Sequence, residues 1–162
     1  MTLSTPSAAA VHTPKVLESL DPAIAAHVCN VFAATPFMNA LGVRVMVVAP
    51  GRVETAMTVL PEHRQQHGLV HAGVMASLAD HTAGACASTA APGIDVLSIE
   101  FKVNMLAPAQ HGELYCIAQT LRAGRRVSVI EADVFSIVPG TVATIADRVV
   151  RATVTLSVRA RG

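Results

Sequence analysis

HAGVMASLADHTAGACASTA, from His71 to Ala90, is the stretch on which the fold turns. It shows no period-two alternation and is rich in Ala, Leu and Met, so it reads as a helix. Apolar residues run nearly all the way round it, which means burial on most sides. Gly84, Ala85 and Ala87 are small enough to let a sheet backbone come close. One residue does not fit: Asp80 sits mid-helix between Ala79 and His81, in the least polar part of the chain.

Working outward, the flanking segments read mostly as strands. Asp21-Pro22 marks a helix start, with Asp as N-cap and Pro at the first helical position, and Ala23 to Ala34 is a short helix ending before Thr35-Pro36. A turn containing Gly42 opens into a strand from Val43 to Val48. Pro50-Gly51 is a turn, and RVETAMTVL (52–60) alternates, so the two runs form a hairpin closed by Pro61. After the long helix comes the clearest alternation. Leu97, Ile99, Phe101, Val103 and Met105 are predicted on one face, Ser98, Glu100, Lys102 and Asn104 on the other. ELYCIAQTL (113–121), a turn at Ala123-Gly124, and RVSVIEADVF (126–135) follow. The last run, VVRATVTLSVR (149–159), places Val150, Ala152, Val154, Leu156 and Val158 on one face. About six strands joined mostly by short turns imply an antiparallel sheet, here wrapped around one long central helix, an α+β architecture.

Composition bounds the function. A chain of 162 residues is one domain, taken as 21–162 behind a flexible lead-in over 1–20 rich in Ser, Thr, Ala and Pro. Over half the residues are apolar, yet no run approaches the roughly 20 residues of a membrane span. The net charge of +1 gives no electrostatic footprint for nucleic acid. Cys29, Cys86 and Cys116 form no CxxC pair and read as reduced core residues. The N-terminus has no cation before Lys15 and no apolar core of a secretory leader, so a cytoplasmic protein is expected.

Asp80 is the first candidate for chemistry. Burying a carboxylate is costly unless it is paired, and no Lys or Arg lies between Arg64 and Lys102 to serve as a local partner. The second is the helix start, where Gly68, His71, Ala72 and Gly73 surround unpaired backbone N–H groups. Those donors, with the positive end of the helix dipole, suit an oxygen that gains charge, although a glycine-rich turn needs no such purpose. His63, His67 and His71 recur at intervals of four, a spacing that would bind zinc on a helix, but Gly68 interrupts it.

The run QQHGLVHAGVMASLADHTAG, from Gln65 to Gly84, resembles the signature of PaaI-type (phenylacetyl-CoA thioesterase-like) hotdog-fold acyl-CoA thioesterases. Their pattern is a polar amide residue, then G-x-x-H-G-G, then an Asp nine residues after the His. SIEFKVNMLAPAQHGEL, from Ser98, is similar to the same family's next strand and the turn that follows. Three positions depart: Gln65 stands for Asn, Ala72 for the first Gly after His71, and His81 for a small or amide residue.

The resemblance implies a hotdog fold and hydrolysis of an acyl-CoA to free acid and CoA. Asp80 would be general base or nucleophile, the Ala72 N–H the oxyanion donor, Gln65 and His71 would orient substrate, and Ser98 would hold water. Gly73 is placed with the substrate-binding residues. Arg125 and Arg126 are candidates for CoA phosphate. No metal and no cofactor is implied, CoA being part of the substrate. A non-catalytic acyl-CoA or acyl-carrier binding protein of the same fold stays open. A hotdog dehydratase would want an Asp-His hydration pair that is not seen. Given those roles, Ala72 and Asp80 lie about 12 Å apart along one helix, too far to serve one carbonyl. The expectation is therefore a homodimer with sites shared between subunits, assembled further as a homotetramer, a dimer of dimers.

Overall fold

Asp21 begins the first helix as expected. Its carboxylate accepts the Ala23 N–H at 2.8 Å, and Pro22 opens α1 (Pro22–Ala34), which buries Ile24, Ala25, Val28 and Phe32. A further short helix, α2 (Pro36–Ala40), starts at once on Pro36, where the sequence predicts only a chain break. The computed structural model describes residues 15–16, 20–90 and 94–160. Most of the predicted lead-in lies outside them, but Lys15–Val16 forms a two-residue strand, β1.

The remaining strands are β2 (Arg44–Ala49), β3 (Arg52–Thr58), β4 (Ile94–Met105), β5 (Glu113–Arg122), β6 (Val127–Ile137) and β7 (Arg148–Ala160). They form one sheet in the order β1-β2-β3-β5-β6-β7-β4. All neighbours are antiparallel except β1 on β2. The hairpin between β2 and β3 turns on Gly51, whose φ of 67° is left-handed and suits glycine. The six predicted strands are all present, each within a few residues of its expected limits.

The long helix, α3 (Ala72–Ser88), packs across β3 to β7. Its buried Ala79, Ala83 and Ala87 share the core with Cys116, Ala118, Ala132 and Ala152 of the sheet. Small residues on both sides keep the two layers close, and Leu78, Leu114, Ile130, Val154 and Leu156 fill the remaining depth, each fully buried. Burying a side chain of that size stabilises by about 1.5–3 kcal/mol. The hydroxyls of Thr55 and Thr82 meet at 2.8 Å inside this core, and Thr82 also donates to the Leu78 carbonyl. This is the hotdog architecture: one helix held in the curve of an antiparallel sheet.

One expectation fails, with consequences for the site. Residues 97–105 do not keep one alternation, because β4 is bulged: Ser98 pairs with Leu156 and Glu100 with Thr155, leaving Ile99 as the extra residue. Leu97, opposite Ser157, therefore faces outward, while Phe101, Val103 and Met105 share the inner face with Val154, Ala152 and Val150. The bulge places Ser98 on that inner face too, opposite buried Leu156. β4 is also an edge strand of twelve residues, paired among the described residues only with β7. Leu97, Ile99, Phe101 and Met105 are all exposed on it. A long, apolar, open edge is a surface that soluble proteins normally cover.

Candidate active site

Asp80 is half-buried in the middle of α3, and its Oδ1 accepts a hydrogen bond from Ser98 Oγ at 2.6 Å. The contact joins the central helix to the edge strand, and it exists because the bulge turns Ser98 inward. Among the described residues Asp80 makes no ion pair. Both residues line a cavity of about 250 Å³ between α1, α3 and β4, with His27 and Val31 on one wall and Val96 and Leu156 on the other. A carboxylate held there by one hydroxyl keeps its second oxygen for another partner.

His81 faces a different constraint. Its ring stands edge-on to Phe32, with centroids 4.7 Å apart, and its buried Nε2 has no hydrogen-bond partner among the described residues. Burial lowers its pKa from the usual histidine value, with the Asp80 charge opposing in part. The ring is therefore neutral in the folded protein at neutral pH. A pKa lower in the folded state gives stability that is complete above the unfolded value, ~6.5, and is lost as pH falls through the folded value. His81→Phe is expected to be at least as stable as wild type at pH 7, with a growing advantage down to pH 5. Urea unfolding midpoints across that range test it, and a constant difference would count against the buried neutral ring.

The helix start forms a second, separate group. His71 is the N-cap of α3, and its Nδ1 accepts the Gly73 N–H at 2.9 Å. A Cβ on residue 73 would lie 3.0 Å from that nitrogen, so glycine lets the imidazole fold over the helix end. With the Gly73 N–H taken, the Ala72 N–H is the first-turn donor without a partner among the described residues. Gln65 Oε1 accepts the His67 N–H at 2.8 Å, which ties the loop before the helix, and its amide nitrogen stays a donor. Gln65, His71 and Ala72 line a cavity of about 590 Å³ that ends against Met105 and Pro108. It shares no lining residue with the Asp80 cavity.

Arg125 and Arg126 lie in the turn between β5 and β6, where a Cβ on Gly124 would collide with the Val127 carbonyl oxygen. They line a third cavity with Ser157, Val158 and Arg159, brought together by the Val158 N–H bonding the Arg126 carbonyl at 2.9 Å. Arg159 was not legible as a site residue, since only the β6–β7 register brings it beside the turn. His27 is not legible for a similar reason: it sits in the predicted short helix, but only tertiary packing places it in the same cavity wall as Asp80.

The other candidate chemistries are weaker. Burial pushes the Cys86 thiol up to about 11 and the Cys116 thiol up to about 12, so neither is a thiolate nucleophile. Among the described residues no group of three or more His, Cys, Asp or Glu side chains is placed to hold a metal. His63 is buried and its Nδ1 accepts the Leu60 N–H. No helix among the described residues is long and apolar enough to cross a membrane.

A long helix held in the curve of an antiparallel sheet, with an acid on its middle turn, defines a protein of the hotdog fold. The chain belongs to the thioesterase superfamily: the family's model matches residues 67–143, and a relative 30% identical to it is covered over 73% of its length. Human acyl-coenzyme A thioesterase 13 is 30% identical over 105 residues, 62% of this chain and 73% of that one. A thioesterase family protein from Silicibacter pomeroyi superposes with a TM-score of 0.79 at 32% identity, over 85% of this chain and 99% of that one. The E. coli PaaI protein, from the phenylacetic acid degradation operon, shares the fold at a TM-score of 0.76 and 20% identity, covering 89% and 98%.

Proposed function

We propose that the protein hydrolyses acyl-CoA thioesters to a free acid and CoA, with Asp80 as the catalytic carboxylate. Thioester hydrolysis is the chemistry that names its family. The observation that carries the reading is the Asp80–Ser98 contact of 2.6 Å in the wall of an otherwise mostly apolar cavity. Ser98 occupies one carboxylate oxygen and fixes its orientation. The other oxygen takes a proton from water as the water adds to the carbonyl, or attacks the carbonyl itself to give a mixed anhydride that water then opens. The oxyanion forms against a backbone N–H, and its collapse expels the CoA thiolate, which takes up the proton. The leaving group is good enough to need no metal.

The oxyanion donor is assigned to Ala72 of a second subunit. Within one chain Ala72 and Asp80 open into different cavities, at opposite ends of β4. If two copies of β4 pair antiparallel about Phe101 and Lys102, Ser98 of one strand comes opposite the partner's Met105. The Asp80 cavity of one subunit then faces the partner's Ala72. The same pairing covers the open apolar edge. A binding protein without catalysis has no use for a carboxylate oriented in this way.

The direct test is release of free thiol from a panel of acyl-CoAs, with the free acid identified by mass. Turnover of at least one member, with both products in equal amounts, is the expected result. Binding without thiol release across the panel would leave the non-catalytic reading.

Arg125 and Arg126 are proposed to hold CoA phosphate, since guanidinium groups fit phosphate oxygens well. Changing both to Ala is expected to raise KM for acyl-CoA more than it lowers kcat, because contacts far from the thioester contribute mainly uniform binding. A short thioester without the nucleotide should be nearly indifferent. Equal losses with both substrates would show that the pair supports the fold or an interface instead.

A further inference from the structure

Hydrolysis of a thioester leaves a proton behind, and the Asp80 cavity is where it is left. Water brings two protons. Its oxygen joins the acyl carbon, the carbon–sulfur bond breaks, and one proton ends on the CoA sulfur. The other stays between the new carboxyl group and Asp80. Two carboxyl groups side by side in a mostly apolar cavity do not both ionise readily, so they hold that proton between them. The pair ties the product to Asp80 and keeps the carboxylate from its next turnover. Among the described residues four titratable side chains line the cavity: His27 on α1, Asp80 and His81 on α3, and Asp95 on β4. A carboxylate such as that of Asp95 is no stronger a base than the product's own. His81 is poorly placed, since its Nε2 is buried, its ring is packed edge-on to Phe32, and burial lowers its pKa. His27 differs. It is half-buried, it makes no ion pair among the described residues, and it stands four residues before Val31 on the face of α1 that reaches the cavity.

We propose that His27 is a further catalytic residue, the base that takes this second proton so that the product leaves as a carboxylate. The inference rests on the reading of Asp80 as the catalytic carboxylate. The O–H bond of the product acid breaks, its proton passes to an imidazole nitrogen of His27, and solvent removes it there. The product is then a carboxylate facing the charge of Asp80, and like charges in one cavity repel. Imidazole suits the task, being the side chain that gains and loses a proton near neutral pH. Water addition and thiol release precede this transfer and do not depend on it. Packing alone needs no imidazole, because an apolar side chain beside Val31 would close the same wall.

The experiment follows thiol release by stopped flow in wild type, His27→Gln and His27→Ala. The substrate is whichever of acetyl-, hexanoyl-, benzoyl- and palmitoyl-CoA wild type turns over fastest. Both variants should release the first equivalent of thiol about as fast as wild type and then slow, giving a burst. Their kcat should fall on the order of tenfold, the effect of one pK unit held against the transfer. Added imidazole should restore most of kcat in His27→Ala. A first turnover slowed as much as kcat, with no rescue, would make His27 a packing residue, and an unchanged kcat would remove it from the reaction. If circular dichroism shows that His27→Ala does not fold, the burst in His27→Gln decides alone. Asp80→Asn run in parallel separates the two readings. If it keeps turnover, or if wild type hydrolyses none of the four substrates, the carboxyl pair does not form and both assignments fall. If it is inactive while the His27 variants match wild type, only the role of His27 fails.

Discussion

Asp80→Asn is expected to lower kcat/KM for every acyl-CoA by about a thousandfold or more, the scale on which bases, nucleophiles and oxyanion donors act. The substitution keeps the shape of the side chain and an oxygen that can still accept from Ser98 Oγ, 2.6 Å away in the native protein. It removes the charge, and with it both the proton acceptor and the nucleophile. No ion pair is broken, because among the described residues Asp80 has none. Fold and assembly should therefore survive, which circular dichroism and size-exclusion chromatography would verify. Thiol release at near wild-type rate with every substrate would remove Asp80 from the mechanism. Loss of the fold would instead mark it as a structural residue.

How far the site could be read from residues alone depends on how local its causes are. The helix from Ala72 to Ser88 was legible because composition and lack of alternation act within the segment. So was the cap at Asp21, whose cause lies two residues away. The β4 bulge was not, since one inserted residue leaves the apolar alternation looking continuous while half the strand changes face. That conceals why Ser98 reaches Asp80: the family resemblance implies a Ser98 that holds water, and the contact with the carboxylate is a fact of the fold. Gly84 was visible as a small residue, but whether small size meant close packing or empty space depended on Val96 and Leu156, which come from other strands. The orphaned Nε2 of His81 is likewise a tertiary fact, made by α1 laying Phe32 against the ring.

The proposed division of the site between two subunits leads to a test by complementation. α3 is one uninterrupted helix, and Ala72 and Asp80 stand eight residues apart on it, about 12 Å along the axis. A carbonyl within ~3 Å of the donor at one end is out of reach of the acid at the other. Gln65, in the loop before the helix, lines the same cavity as Ala72. In a twofold dimer each site would then combine Asp80 from one chain with Gln65 and Ala72 from the other. An Asp80→Asn chain and a Gln65→Ala chain, each severely impaired alone, are expected to recover activity when refolded together. In the mixed dimer one site collects both substitutions and the other collects neither. Random pairing makes about half the dimers mixed, each with one of its two sites intact, so recovery should approach about a quarter of the wild-type rate. Mass spectrometry of the intact assembly would establish that mixed dimers form. If they form and remain inactive, each site is built within a single chain, and the oxyanion donor lies somewhere other than the start of α3.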